Sequence, residues 1–384
     1  MVLARSLVSD GGDLLLAAGF LINERILAKM KAMELSGCWV YEEGTELVVP
    51  EEVISEQFAN QVQGILKENA ELMRQVIDVK DCTLVNLQSI LAEPHRFRNI
   101  IVYEKMKNTV REILNALLQR DPVTINLNSI RHKNSWLHQH ALDVTITAIL
   151  LAQNLRYPGK EIEELALGCL LMDTGMVILA DGLFRKGGPL SAEELSLLRE
   201  HPTFGYAILR ENEQVPLTVA HVAYQHHERQ DGNGYPRRLR GNNTMPVKTL
   251  SSDRGMIHRY AEIAAVCDTY ISLIAPRPGT VPPRSPEEAM KILILATGTH
   301  LNRALVDSLI TMIPIYPVGS KVVVVKDERY NLYTGFSGVV AKYRPENPEK
   351  PVIILIANRE KKKIKPFTID MADESGIKVQ YAKL

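Results

Sequence analysis

The 384-residue chain is short of cysteine and of large aromatics, with four Cys, two Trp and seven Phe. Cys38, Cys82, Cys169 and Cys267 lie far apart and form no C-x-x-C pair, which argues against a cysteine zinc site and fits reduced thiols in the cytoplasm. Surplus charge is missing too. Lys plus Arg and Asp plus Glu number 45 each, so the chain as a whole lacks the positive field that nonspecific DNA binding or attachment to anionic lipid needs. No apolar run is long. The stretch Leu14 to Ile22 is too short for a bilayer and follows Asp10 and Asp13 rather than basic residues, so neither membrane insertion nor a signal peptide is expected. What is present is ordinary for a folded protein, 46% hydrophobic and 23% charged residues over a length that suits two or three domains.

Glycines at 11, 12, 19, 37 and 44 break short apolar stretches in residues 1–50, which reads as a small mixed α/β module with two or three strands. Glycine nearly vanishes over 51–121, where Glu, Gln, Lys, Leu and Val mix at helical spacing; this is read as a helical connector that permits a homodimer without requiring one. Residues 122–315 are expected to be helical with functional loops, broken at Pro202, Pro216 and the Gly/Pro-rich segment 229–246. Over 316–384, β-branched runs at 321–325, 338–341, 352–357 and 377–379 predict a small all-β module, with the lysines at 361–363 in a solvated turn.

Helical spacing aims several polar residues inward. Leu137, Ala141, Val144, Ala148, Leu151 and Leu155 mark one apolar face with His140 at its edge, while Ile162, Leu165, Ala166, Cys169 and Leu170 mark another that carries Asp173. After Pro216, Val219, Val222, Ala223 and His226 share a face with His227 one step round, and Ile257, Ala261, Ala264, Asp268 and Ile271 share a further one. A buried carboxylate must be neutralised, paired or metal-bound, and few basic residues accompany these helices. His140, His201, His226 and His227 can join Asp173 and Asp268 in a nitrogen and oxygen donor set suited to Fe, Mn or Zn. Two metals held in this way serve in-line hydrolysis of phosphoesters.

His226-His227-Glu228-Arg229 followed by Asp231-Gly232-Asn233-Gly234-Tyr235-Pro236 resembles the signature of the HD-GYP family. The likeness extends through His140, the segment 170–175, the segment 186–190, His201 and Asp268. It implies a mainly α protein with an all-helical HD core, a bacterial source, and hydrolysis of cyclic di-GMP to the linear dinucleotide or to GMP with two divalent iron or manganese ions. Carried over by position, the metal ligands are His140, Asp173, His201, His226, His227 and Asp268, with Asp173 as the bridge and the catalytic carboxylate. Tyr235 and its loop would touch substrate or a partner protein, and Arg277 would grip a substrate phosphate.

The chain departs from the family where the histidine of the histidine-aspartate pair is Met172, since a thioether is a poor ligand beside carboxylates and one metal site is thereby weakened. Met176 replaces a lysine that could stabilise developing phosphate charge. Trp136, one turn before His140, replaces the carboxylate of the three-metal branch, so no third ion is expected. Beside the phosphodiesterase reading stands an alternative, a catalytically degenerate signalling module that binds cyclic di-GMP or a partner.

Overall fold

The computed structural model describes residues 2–8, 14–32, 38–46, 48, 53–76, 89, 92–98, 100–118, 136–179, 190–246, 255–275, 280–328, 331–374 and 376–382. The chain is mainly α, with a mixed N-terminal module and a β-rich C-terminal one, as the residue pattern predicts. The N-terminal module pairs β1 (Val2–Leu3) with β4 (Val40–Tyr41) and β2 (Leu7–Val8) with β3 (Leu14–Leu16). Its helix α1 (Glu24–Ala32) closes a core of Leu3, Leu7 and Met30. That makes four strands among the described residues rather than two or three, because two-residue strands leave no alternation to read.

α2 (Glu56–Val76) and α3 (Tyr103–Leu118) carry Leu66, Met73, Met106 and Ile113 into the same apolar core that holds the central helices. Those central helices are α4 (Trp136–Asn154), α5 (Gly159–Leu171), α6 (Ala192–Leu198), α7 (His201–Arg210), α8 (Leu217–Gln225), α9 (Arg259–Ile274), α10 (Pro286–Ala296) and α11 (Arg303–Ile310). α4 is buried at every position from Gln139 to Ala152. His140 is therefore enclosed rather than at the edge of a stripe, because α4 is packed by neighbours on all sides and has no solvent face to oppose its apolar one. Capping boxes at Ser191/Glu194 and Ser285/Glu288 start α6 and α10.

The C-terminal sheet is antiparallel in the order β8-β7-β6-β5-β9, from β5 (Lys321–Asp327), β6 (Ser337–Lys342), β7 (Val352–Ala357), β8 (Lys363–Asp370) and β9 (Ile377–Tyr381). Four of these match the β-branched runs. β8 does not, since it is lysine-rich and carries Pro366, which an edge strand tolerates and a central one does not. No helix among the described residues is long and apolar enough to cross a membrane.

Candidate metal centre

Six polar side chains from separate elements converge between α4, α5, α7, α8 and α9. Asp173 lies not on a helix face but in the turn after α5, whose regular part ends at Leu171. That turn rests on the backbone of α7. A Cβ on Gly175 would stand 2.0 Å from the His201 carbonyl oxygen and 2.7 Å from the Gly205 nitrogen, so only glycine lets the carboxylate come this close to His201.

Helix ends orient two of the imidazoles. The last carbonyls of a helix lack intrahelical donors. His201 Nδ1–H donates to the carbonyl of Leu198, the last residue of α6, at 2.8 Å. His226 caps α8 and its Nδ1–H donates to the Ala223 carbonyl at 3.0 Å. Carbonyl oxygens only accept, so both protons are fixed on Nδ1 and both Nε2 lone pairs are left free. These Nε2 atoms face each other at 3.2 Å, with Asp173 Oδ1 3.5 Å from the first and 3.9 Å from the second. Two lone pairs and a carboxylate at such distances repel unless a cation lies among them. A proton is a poor candidate on His201, because burial holds its imidazole down to about 4, against the partial relief that Asp173 gives. The donor set fits a transition-metal ion, each imidazole being oriented through its far nitrogen as metal-bound histidines are.

His227 joins this group, since one nitrogen from each of His201, His226 and His227 lies within 4.8 Å of the others. Burial, with His226 and His201 beside it, drives its protonation well below the usual imidazole range. Tyr235 stacks on His227 at 4.8 Å between ring centroids, and the Arg199 guanidinium sits 5.7 Å over the Tyr235 ring. Glu228 holds the loop in place, its carboxylate accepting from the backbone N–H of Arg237 at 2.7 Å and of Leu239 at 2.8 Å. A Cβ on Gly234 would meet the Arg229 nitrogen at 2.4 Å, so the loop closes directly on the backbone behind His227.

His140 and Asp268 form the other half. His140 Nε2 lies 2.8 Å from Asp268 Oδ1. Burial alone would lower the imidazole, but the hydrogen bond and charge of Asp268 outweigh it and raise its pKa; the same bond overcomes burial to hold Asp268 below the usual carboxylate range. His140 Nδ1 is buried with no hydrogen-bond partner among the described residues. Trp136 stacks on His140 at 5.1 Å and its indole N–H donates to the Ala275 carbonyl at 3.3 Å, tying the start of α4 to the end of α9. Both halves belong to one cluster, for the charges of Asp173 and Asp268 act on His140 and on His227 respectively.

Met172 is fully enclosed in the apolar core and Met176 is also buried. Arg277, the expected phosphate grip, lies outside the described residues, as do residues 186–189 of the family-like segment. The roles of Trp136, Glu228 and Arg199 escape a sequence reading, because each acts through a partner that only the fold brings near.

A helical domain with four histidines and two aspartates gathered in one place defines a class, that of proteins equipped to hold metal. Residues 124–305 match the HD domain family, in keeping with the HD-GYP resemblance, and the curated relatives this chain matches are cyclic dinucleotide phosphodiesterases. Cyclic di-GMP phosphodiesterase PA4108 of Pseudomonas aeruginosa is 28% identical over 263 residues, 68% of this chain and 58% of that protein. A cyclic di-GMP phosphodiesterase of Thermotoga maritima is 26% identical over 211 residues, 55% of this chain and 50% of that protein. The 3'3'-cGAMP-specific phosphodiesterase 2 of Vibrio cholerae is 26% identical over 215 residues, 56% of this chain and 37% of that protein. The chain thus spans about half the length of the curated relatives it matches.

Proposed function

We propose that this protein is a metal-dependent cyclic dinucleotide phosphodiesterase of HD-GYP type that opens cyclic di-GMP to the linear dinucleotide or on to GMP. His140, Asp173, His201, His226, His227 and Asp268 are the residues that would hold two divalent ions, iron or manganese, with Asp173 as the catalytic carboxylate among them. The observation that carries this reading is the pair of Nε2 atoms 3.2 Å apart with Asp173 beside them, a donor set suited to a bound cation. Such ions, when bound, polarise the phosphodiester and supply an activated water.

The chain's own groups do the rest. The carbonyls of Leu198 and Ala223 keep the imidazoles in the ligating tautomer, and Gly175 lets Asp173 reach them. Burial pushes the Tyr235 hydroxyl above the ordinary tyrosine range, so at neutral pH it stays a donor for a phosphate oxygen. Arg199 adds positive charge on the outer face of that ring, and Arg277 is assigned to a second phosphate contact.

Two buried thioethers favour a second reading. Met172 and Met176 offer neither a good ligand nor a cation, which suits a module that binds the dinucleotide and signals without cleaving it. One experiment separates the two. Protein purified anaerobically is analysed for metal and then incubated with cyclic di-GMP and, in parallel, 3'3'-cGAMP, with binding and linear product both measured. Linear product with at least about one transition ion per chain is expected. Binding without product selects the signalling module, and a smaller metal content counts against both ligand assignments.

A further inference from the structure

A second cavity, of about 330 Å³, lies behind the tyrosine-bearing loop and is of a size that takes a small ligand. His221 lines it from α8, and since His221 precedes His226 by five residues the two point about 140° apart around that helix. The cavity and the metal centre therefore sit against different faces of one element.

Its polar lining is set up to donate. The His258 backbone N–H donates to Gln225 Oε1 at 2.7 Å, which fixes the amide so that its nitrogen donates to His221 Nδ1 at 3.2 Å. The remaining proton of His221 must then be on Nε2. The Tyr260 N–H donates to His258 Nδ1 at 3.3 Å, as an N-cap does, so His258 also carries its proton on Nε2. Neither Nε2 has a protein partner among the described residues, and the two rings lie nearly parallel with centroids 6.2 Å apart. Burial keeps both rings neutral at physiological pH, that of His258 down to about 4. Arg237 lines the cavity beside His221 and adds a guanidinium fork. The carboxylate in the lining, Glu262, is already occupied, accepting from Gln230 at 2.6 Å and Asn302 at 3.3 Å. The positive end of the 16-residue helix α9 faces the same space.

We propose that this cavity binds a phosphate monoester, either free phosphate or the terminal phosphate of a nucleotide, whose three outer oxygens accept from His221, His258 and Arg237. Three donors with no acceptor competing among them match a group that has only acceptors to offer. The site stands apart from the metal centre and does not depend on its activity, though Gln225, which holds the His221 imidazole and the His258 backbone N–H, is the residue immediately before His226.

The test is calorimetric titration of the full chain with inorganic phosphate in one arm and guanosine 5'-monophosphate in the other. Saturable binding is expected, with Arg237→Ala weakening it about tenfold or more, the size of one charge-assisted hydrogen bond. His221→Phe should weaken it as well and His221→Gln, which keeps a donor, should restore part of the loss. Asp173→Ala, which disables the other centre, should leave it unchanged. Tighter binding of the nucleotide assigns a nucleotide site, and equal binding assigns a phosphate site. The proposal fails if neither ligand binds at millimolar concentration, or if binding survives Arg237→Ala and disappears with Asp173→Ala. Arg237 is exposed, and a circular dichroism spectrum checks that its variant is folded.

Discussion

The two halves of the candidate metal centre solve the same problem in different ways. His140 and Asp268 neutralise each other directly, a buried imidazole hydrogen-bonded to a buried carboxylate at 2.8 Å. His201, His226 and Asp173 cannot do so, because both imidazole protons are spent on helix-end carbonyls and three acceptors are left facing one another. One half balances its charge within the protein, with only His140 Nδ1 left unpartnered among the described residues, and the other leaves three acceptors facing one another. Asp268 persisting in a buried place is thus weak evidence for metal, whereas the second half is strong evidence.

The largest effect should come from breaking each half separately. Asp173→Ala removes an oxygen from the incomplete half, and metal affinity should fall by more than about 100-fold, beyond what lost supporting contacts produce. In metal-free protein the same change should cost little, since it relieves lone-pair repulsion. Asp268→Asn should do the reverse in metal-free protein, lowering stability by about 3 kcal/mol because it leaves His140 buried without its counter-charge. Metal content and urea unfolding in a chelator measure both. Equal loss of stability in the two variants would abolish the distinction between the halves.

Met172→His comes next. It places an imidazole beside Asp173, in the half that needs ligands, and metal should bind about tenfold more tightly, the scale of one added favourable contact to a charged centre. Metal competition with a chromogenic chelator reads this directly. Unchanged affinity together with lower stability would show that residue 172 serves only the apolar core that now encloses it.

How much of this was legible from residues alone follows from what each placement depends on. His226 and Asp268 were readable because 3.6-residue periodicity puts them on the same faces as Val222 and Ala264, and helices obey that period locally. Asp173 was aimed correctly for the wrong reason, since α5 ends at Leu171 and the turn, not the helix face, delivers the carboxylate. What lets that turn approach is Gly175 against His201, a contact between distant segments that no local pattern encodes. The pairing of His140 with Asp268 spans 128 residues, and the stacking of Trp136 that supports it is visible only once α4 and α9 meet. In the C-terminal sheet the central strands announced themselves by β-branched content, while edge strand β8 hid behind lysines and a proline.

Acid and base should separate the two halves by the sign of their response, which is the subtlest of the expected effects. In metal-free protein His140 takes up its proton more readily folded than unfolded, so its contribution is present below the ordinary imidazole value of 6.5 and is lost as pH rises through its raised folded value. Asp268 contributes above the ordinary carboxylate value of 3.8 and loses this as pH falls through its depressed folded value. His201 behaves oppositely to His140. Its folded pKa is about 4, so between 6.5 and about 4 the unfolded chain binds a proton that the folded one refuses, and stability falls on acidification; His227, also lowered by burial, adds to that fall. Each group contributes at most about 1.4 kcal/mol per pH unit. Unfolding midpoints in chelator should therefore drop from pH 6.5 towards 4 in the native chain and less steeply in His201→Gln, whereas Asp268→Asn should remove the loss above 6.5 and the carboxylate's own loss in strong acid, and should steepen the fall below 6.5 because burial then lowers His140 as well. A single shared pH profile for the two variants would mean that the six groups titrate as one unit, and that the division into a self-neutralised half and a cation-dependent half is wrong.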